Sequence, residues 1–262
     1  MLTDKELQAA ADALYKAEME GPLATSVSTT YPNADIMDAY RIAQLVTETK
    51  LAAGRKVKGK KVGFTSKAMR DMFKIEEPDY GNIFDNWFVD EGISVPMTRL
   101  NSPRVEIELA FILKRDLSGP HVNAVDVIQA TDFVMPAFEI VDSRYKEWGQ
   151  NLIVDSVADA ASCGLVILGG KPVLPTDMDI RLVGASLSKN GVVEVSGTAA
   201  AVMGNPIYAV AWLARKLHEF ETGLCAGEAI LSGSFVQMIP FDQGDTLTAD
   251  FGRLGTMQFG VV

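Results

Sequence analysis

The chain has 262 residues, 48% of them hydrophobic, with 24 lysines and arginines against 34 aspartates and glutamates, a net charge of −10. That length supports one large domain, or a small one beside a larger one, around a full apolar core. The acidic balance argues against a nucleic-acid or anionic-membrane partner, and no basic arm or aromatic-basic ladder is present.

The first residues, MLTDKELQ, are polar and acidic, unlike a secretory signal, and no apolar run approaches the ~20 residues needed to span a bilayer. Two cysteines, Cys163 and Cys225, make no disulfide framework. Their apolar surroundings predict buried free thiols, and the compartment reads as cytoplasmic.

Residues 3–20 place Leu7, Ala10, Ala11, Leu14 and Met19 at helical spacing, with Thr3 as a cap and Glu6 three residues on. Residues 35–53 repeat the pattern with Ile36, Ala39, Ile42, Leu45 and Val46, and Gly54 stops it. A helical lead-in over 1–55 and a β-rich catalytic body over 56–262 are the expected divisions. Beyond 55, β-like runs fall at 59–64, 86–89, 105–113, 133–141, 163–168, 181–188, 192–196, 228–235, 246–251 and 255–262. Asn190-Gly191 between two of them predicts a hairpin. Helices are expected near 66–74, 123–130 and 206–220, the last with Ile207, Val210, Ala211, Ala214 and Leu217 on one side. This rhythm does not fit a doubly wound sheet. It predicts an α+β fold: a mixed, mostly antiparallel β roll or barrel with a small N-terminal helical region.

The run SPRVEIELAFIL, 102–113, sets Val105, Ile107, Leu109 and Phe111 on one face of a strand and Arg104, Glu106, Glu108 and Ala110 on the other. Two carboxylates at that spacing repel unless a cation lies between them. A hard divalent ion is one solution; a solvated face with Arg104 and Lys114 is the bland one. FVMPAFEIVDSR, 133–144, embeds Glu139 in a nearly continuous apolar strand, where a carboxylate is costly unless paired or bound to metal. Lys61, in GKKVG, is either part of a solvated basic stretch or a buried ammonium with its pKa pulled down. Asp79, in EPDYG, is a turn aspartate or a base for a water. Ser66 and Ser162 suit caps or turns, and Ser234 suits either a strand end or a carboxylate contact. With only His121 and His218, neither near a cysteine or serine motif, a zinc site or hydrolytic triad is not indicated. No phosphate-binding glycine motif occurs. Trp87, Trp148 and Trp212 read as core or interface residues.

The glutamates of PRVEIELAF, the lone glutamate of PAFEIVDSR, and the stretches GKKVGFTSKAM, EPDYG, DSVADAASCG, SGTAAAVMGNP and AGEAILSGSF together resemble the fumarylacetoacetate hydrolase superfamily. The likeness is to its hydratase and decarboxylase branch from meta-cleavage catabolism of aromatic compounds. It implies the fumarylacetoacetase C-terminal-like fold and a Mg²⁺ (or Mn²⁺) ion on Glu106, Glu108 and Glu139. It also implies Lys61 and Asp79 as catalytic groups, and Ser162, Ser234 and Lys67 against substrate. The implied reaction is hydration of a 2-hydroxyalka-2,4-dienoate to a 4-hydroxy-2-oxo acid. Decarboxylation of 4-oxalocrotonate is the alternative, and a non-catalytic partner subunit a further one. The branch's decarboxylases carry Trp where this chain has Lys67, and an apolar residue where it has Asp79, which favours the hydratase. Ala160 departs from the branch, which has Asn there. A homo-oligomer and an association with a pathway decarboxylase or aldolase are also implied.

Overall fold

The computed structural model describes residues 1–146 and 153–262. Trp148 lies outside the described residues. Three helices open the chain: α1 (Asp4–Met19), α2 (Val27–Thr30) and α3 (Ile36–Ala52). Thr3 closes a capping box on α1: its hydroxyl accepts from the Glu6 amide, and Glu6 accepts from the Thr3 amide at 2.8 Å. Asp35 and Asp38 cap α3 in the same way. Leu7, Ala11 and Leu14 pack on Ala39 and Ile42, and the cluster continues onto Tyr145, Val157 and Ala158 from later in the chain. Met19, on the expected apolar stripe, is instead 50% exposed at the end of α1.

The chain then runs through β1 (Val57–Gly63), α4 (Lys67–Phe73), β2 (Asp79–Phe84), β3 (Phe88–Asp90), β4 (Arg104–Leu113), α5 (Ala124–Ala130) and β5 (Thr131–Val141). After these come α6 (Ile153–Ala158), β6 (Cys163–Leu168), β7 (Gly184–Lys189), β8 (Val192–Thr198) and α7 (Pro206–His218). The last strands are β9 (Ala229–Leu231), β10 (Ile239–Pro240), β11 (Thr246–Asp250) and β12 (Thr256–Gly260). One sheet has the order β2-β1-β9-β4-β5-β6-β3, with β10 also on β4; the other has the order β12-β11-β7-β8. Pairing is antiparallel except for β1 with β9 and β3 with β6. The result is the expected mixed, mostly antiparallel half-barrel with an N-terminal helical region.

The β4–β5 ladder is the middle of the larger sheet. Ile107, Leu109, Phe111, Phe138 and Ile140 enter the main core, which also takes Val210, Leu213 and Leu217 of α7 and Phe259 of β12. Phe138 and Phe259 meet edge to face at 5.1 Å. Ala110, Ala137, Cys163, Val166 and Leu231 form a second, smaller apolar cluster. β4 is therefore covered on both sides, and the solvated outer face is not what its glutamates meet. Among the described residues no helix is long and apolar enough to cross a membrane.

Several elements differ from the sequence expectation. The run 228–235 pairs only over Ala229–Leu231, because Gly233 turns with φ +107. β2 and α6 were not anticipated: β2 opens with Asp79, Gly81 and Asn82 before its apolar end at Ile83 and Phe84, and α6 is a single short segment. Cys163 is buried as expected, but Cys225 is exposed. The Asn190-Gly191 hairpin forms, with positive φ at both residues.

Gly81 of β2 shows how tightly the next layer is stacked. A Cβ built there would stand 2.0 Å from the Ala160 carbonyl oxygen. Gly81→Ala should therefore lower the unfolding free energy by about 2 kcal/mol or more, measured by urea denaturation; an unchanged midpoint would contradict the packing described.

Candidate metal and active site

In the β4–β5 register Glu106 lies directly opposite Glu139, and Glu108 opposite Ala137. Glu106 and Glu108 share a face because they are two residues apart on one strand. Carboxylate oxygens of all three fall within 4.8 Å of one another. Glu139 is 0% and Glu108 1% exposed, while Glu106 is half-buried on the accessible side. Glu108 Oε2 accepts from the Gly233 amide at 2.7 Å, which is why the chain turns there. Glu108 Oε1 and Glu139 Oε2 have no hydrogen-bond partner, and Glu139 Oε1 meets only the Lys61 ammonium, at 3.0 Å.

Two unit charges 4.8 Å apart repel by about 3.5 kcal/mol at an effective dielectric of 20. A single ammonium answers three such pairs: Lys61 Nζ, 3.0 Å from Glu139 Oε1. Burial, then the Glu139 charge, raises the pKa of Glu106 to about 7 and that of Glu108 well above its ordinary value. Burial works against the Lys61 charge, but Glu139, Asp79 and Glu106 outweigh it and raise the Lys61 pKa. The expectation of a lowered Lys61 pKa is thus overturned, because Lys61 is set among carboxylates rather than in an apolar pocket. Unpartnered buried carboxylate oxygens converging within ligand distance fit a hard divalent ion such as Mg²⁺ or Mn²⁺.

Lys61 is fixed by a second contact, donating to the Ala161 carbonyl at 2.9 Å. That carbonyl is presented by three consecutive non-glycine residues in the left-handed region: Ala160 (φ 52), Ala161 (φ 52) and Ser162 (φ 56). Each costs on the order of 1 kcal/mol. The turn is held by Asp159, which takes the Arg144 Nε at 2.5 Å and the Arg144 amide at 3.0 Å. Ala160 occupies a conformation that Asn tolerates better. Lys60, next along β1, points to the other side and pairs with Glu228 at 2.6 Å.

Asp79 begins β2 opposite Gly63 of β1. A Cβ on Gly63 would stand 2.1 Å from Asp79 Oδ1 and 3.5 Å from Lys61 Nζ, so the missing side chain lets these two groups flank one spot. Asp79 Oδ2 accepts from Ser156 Oγ at 3.1 Å, and Oδ1 has no partner. Burial pushes the Asp79 pKa up, against the pull of Lys61.

The structure gathers Glu106, Glu108, Glu139, Lys61 and Asp79. Ser162 is buried in the strained turn, its amide bonded to the Asp159 carbonyl at 2.8 Å. The Ser234 hydroxyl donates to the Val236 carbonyl at 2.9 Å, with the Ile107 carbonyl at 3.3 Å as a second acceptor, so it closes a turn. Lys67 opens α4 with its side chain 81% exposed and its ammonium 2.6 Å from Asp71, outside the buried cluster. The Ala161 carbonyl, the Gly233 amide and Ser156 escaped sequence reading. Backbone groups carry no side-chain signal, and Ser156 is ordinary in a helix.

The sequence profile of the fumarylacetoacetate (FAA) hydrolase C-terminal family matches residues 58–262. The chain belongs to that family. It is 40% identical to the 2-oxo-hept-4-ene-1,7-dioate hydratase of Escherichia coli, covering 94% of each chain. It is 37% identical to a 2-keto-4-pentenoate hydratase of Paraburkholderia xenovorans, over 98% of this chain and 95% of that one. Its fold superposes on the 4-oxalocrotonate decarboxylase from Pseudomonas putida G7, complexed with magnesium and adipate. The TM-score is 0.96 at 33% identity, covering 100% of this chain and 99% of that one.

Two outcomes test the carboxylate cluster. Glu139→Gln should weaken Mn²⁺ binding at least about a hundredfold by calorimetric titration, with circular dichroism unchanged. In chelator, Glu108→Gln should unfold no earlier than wild type, because it replaces a buried group that must either carry a repelled charge or take up a proton. Mn²⁺ at about 100 times its Kd should add about 2.7 kcal/mol to wild type and far less to the variant.

Proposed function

We propose that this chain is a divalent-metal-dependent hydratase that converts a 2-hydroxyalka-2,4-dienoate to a 4-hydroxy-2-oxo acid. The observation that carries this reading is the set of three converging carboxylates, with oxygens of Glu108 and Glu139 left without hydrogen bonds, and with Lys61 and Asp79 flanking one spot beside it. The hydratase names of relatives covering nearly the whole chain support the same chemistry.

Glu106, Glu108 and Glu139 would hold the ion, which supplies Lewis-acid stabilisation of negative charge on the substrate's 2-oxygen. Glu106 is the most exposed of the three, only half-buried, which suits it to face an incoming substrate. Hydration needs a proton at C5, a water oxygen at C4 and a proton at C3, with the 2-hydroxyl becoming a ketone. Lys61 is buried, protonated and held on two sides, which suits it to offset the carboxylates' charge and to hold a proton at a fixed place beside the substrate. Asp79 presents Oδ1 without a partner, which suits it to take a proton from the added water. The apolar walls of β4 and β5 keep bulk water from the remaining faces.

A decarboxylase is the second reading, favoured by the fold match to the 4-oxalocrotonate enzyme. Decarboxylation adds no water, and Asp79 would then have no proton to take. Proton NMR of products from 2-hydroxypenta-2,4-dienoate, 2-oxohept-4-ene-1,7-dioate and 2-oxo-3-hexenedioate, with Mg²⁺ and with chelator, separates the two. A Mg²⁺-dependent 4-hydroxy-2-oxo product from either of the first two is expected. Carbon dioxide from the third, with the others untouched, would replace the hydratase by the decarboxylase. Silence from all three would point to another substrate or to a non-catalytic subunit.

A further inference from the structure

We infer that Ser156 is a positioning residue for hydration, acting through Asp79; this rests on the hydratase reading above. Ser156 Oγ donates to Asp79 Oδ2 at 3.1 Å. A carboxylate pinned through one oxygen keeps a fixed plane, and its other oxygen then has one direction to point. Here that oxygen, Oδ1, is buried, has no partner, and lies against Gly63 beside Lys61. Ser156 thus fixes one oxygen of the candidate base, while the Gly63 backbone and the Lys61 ammonium lie toward the other.

The platform that carries Ser156 is unusually well anchored. The preceding residue, Asp155, is fully buried and accepts from the Ser28 amide at 2.8 Å and the Ser28 hydroxyl at 2.5 Å, which ties α6 to α2. Just past the other end, Asp159 locks onto Arg144 through both carboxylate oxygens. Arg144 also donates to the Asp142, Cys163 and Asp159 carbonyls. Two buried aspartates thus brace one helical segment from both sides, and the serine between them aims at the site. The same segment leads into the left-handed turn whose Ala161 carbonyl holds Lys61. One brace sets the directions of both groups that flank Gly63.

Because Ser156 touches no metal ligand among its hydrogen-bond contacts, its loss should act on the water step and leave ion binding alone. With the Mg²⁺-loaded full chain and the dienoate that wild type turns over fastest, Ser156→Ala should lower the kcat of hydration about ten- to hundredfold. KM and Mn²⁺ affinity should stay within about twofold. Deuterium entry at C5 in D₂O, which reports the proton step that precedes water addition, should also stay within about twofold. Ser156→Thr, which keeps the donor, should retain at least about a third of wild-type kcat, and Ser156→Cys, a weaker donor of similar size, should fall between. In the Asp79→Asn background, Ser156→Ala should cost nothing further.

Equal losses in the Ala and Thr variants, additive losses in the double variant, or a loss shared by C5 exchange would overturn the inference in favour of a purely structural serine. Full kcat in Ser156→Ala overturns it while the hydratase reading stands. A wild type inactive on every dienoate overturns both.

Discussion

Three carboxylates forced together at the centre of a sheet are the constraint on which the rest depends. Two neighbouring antiparallel strands set Glu106 against Glu139, and the two-residue repeat of β4 adds Glu108. The surrounding structure answers that repulsion with fixed groups: the Gly233 amide on Glu108 and the Lys61 ammonium on Glu139. Each answer imposes its own demand. The amide requires a glycine turn with Thr65 packed where a Cβ would stand. The ammonium requires a carbonyl acceptor, and hence three residues in a conformation they resist. The remaining lone pairs are what a divalent cation is suited to take up.

How much of this was written in the sequence varies with the kind of group involved. Strand alternation put Glu106 and Glu108 on one face, and the apolar run around Glu139 marked it as buried, because side-chain parity follows directly from residue order. Thr3 with Glu6, Asn190 with Gly191, and the apolar stripe of α7 were legible for the same local reason. What could not be read was anything set by contacts distant in sequence. Lys61 and Ala161 meet across 100 positions, and Ser156 meets Asp79 across 77. The direction of the Lys61 shift was misread because a lysine's neighbours, not its burial alone, decide its proton. Lys67 shows the reverse case: a motif position whose side chain faces solvent and pairs within its own helix.

The N-terminal helices are more than a lead-in. Lys50 of α3 pairs with Glu18 of α1 while lying 4.3 Å from the Phe84 ring centre and 4.2 Å from that of Trp87. Burial lowers the Lys50 pKa to about 8 despite Glu18. Trp87 in turn donates to Glu18 and lies under the Arg144 guanidinium. A buried polar chain therefore links α1 and α3, through Trp87, to the arginine that holds the Asp159 turn.

β1 spends its two adjacent lysines on opposite sides: Lys60 reaches Glu228, and Lys61 reaches Glu139 and Ala161. Inserting or deleting a single residue upstream in that strand would turn both lysines to the opposite faces, parting Lys61 from Glu139 and Lys60 from Glu228, and would turn Gly63 away from Asp79. The strand is constrained in length as well as in side chain, since a Cβ on Gly59 or Gly63 would also collide with a neighbouring strand. The spacing from Lys61 to Asp79 can therefore change without moving either group only in the connection between Gly63 and the start of β2.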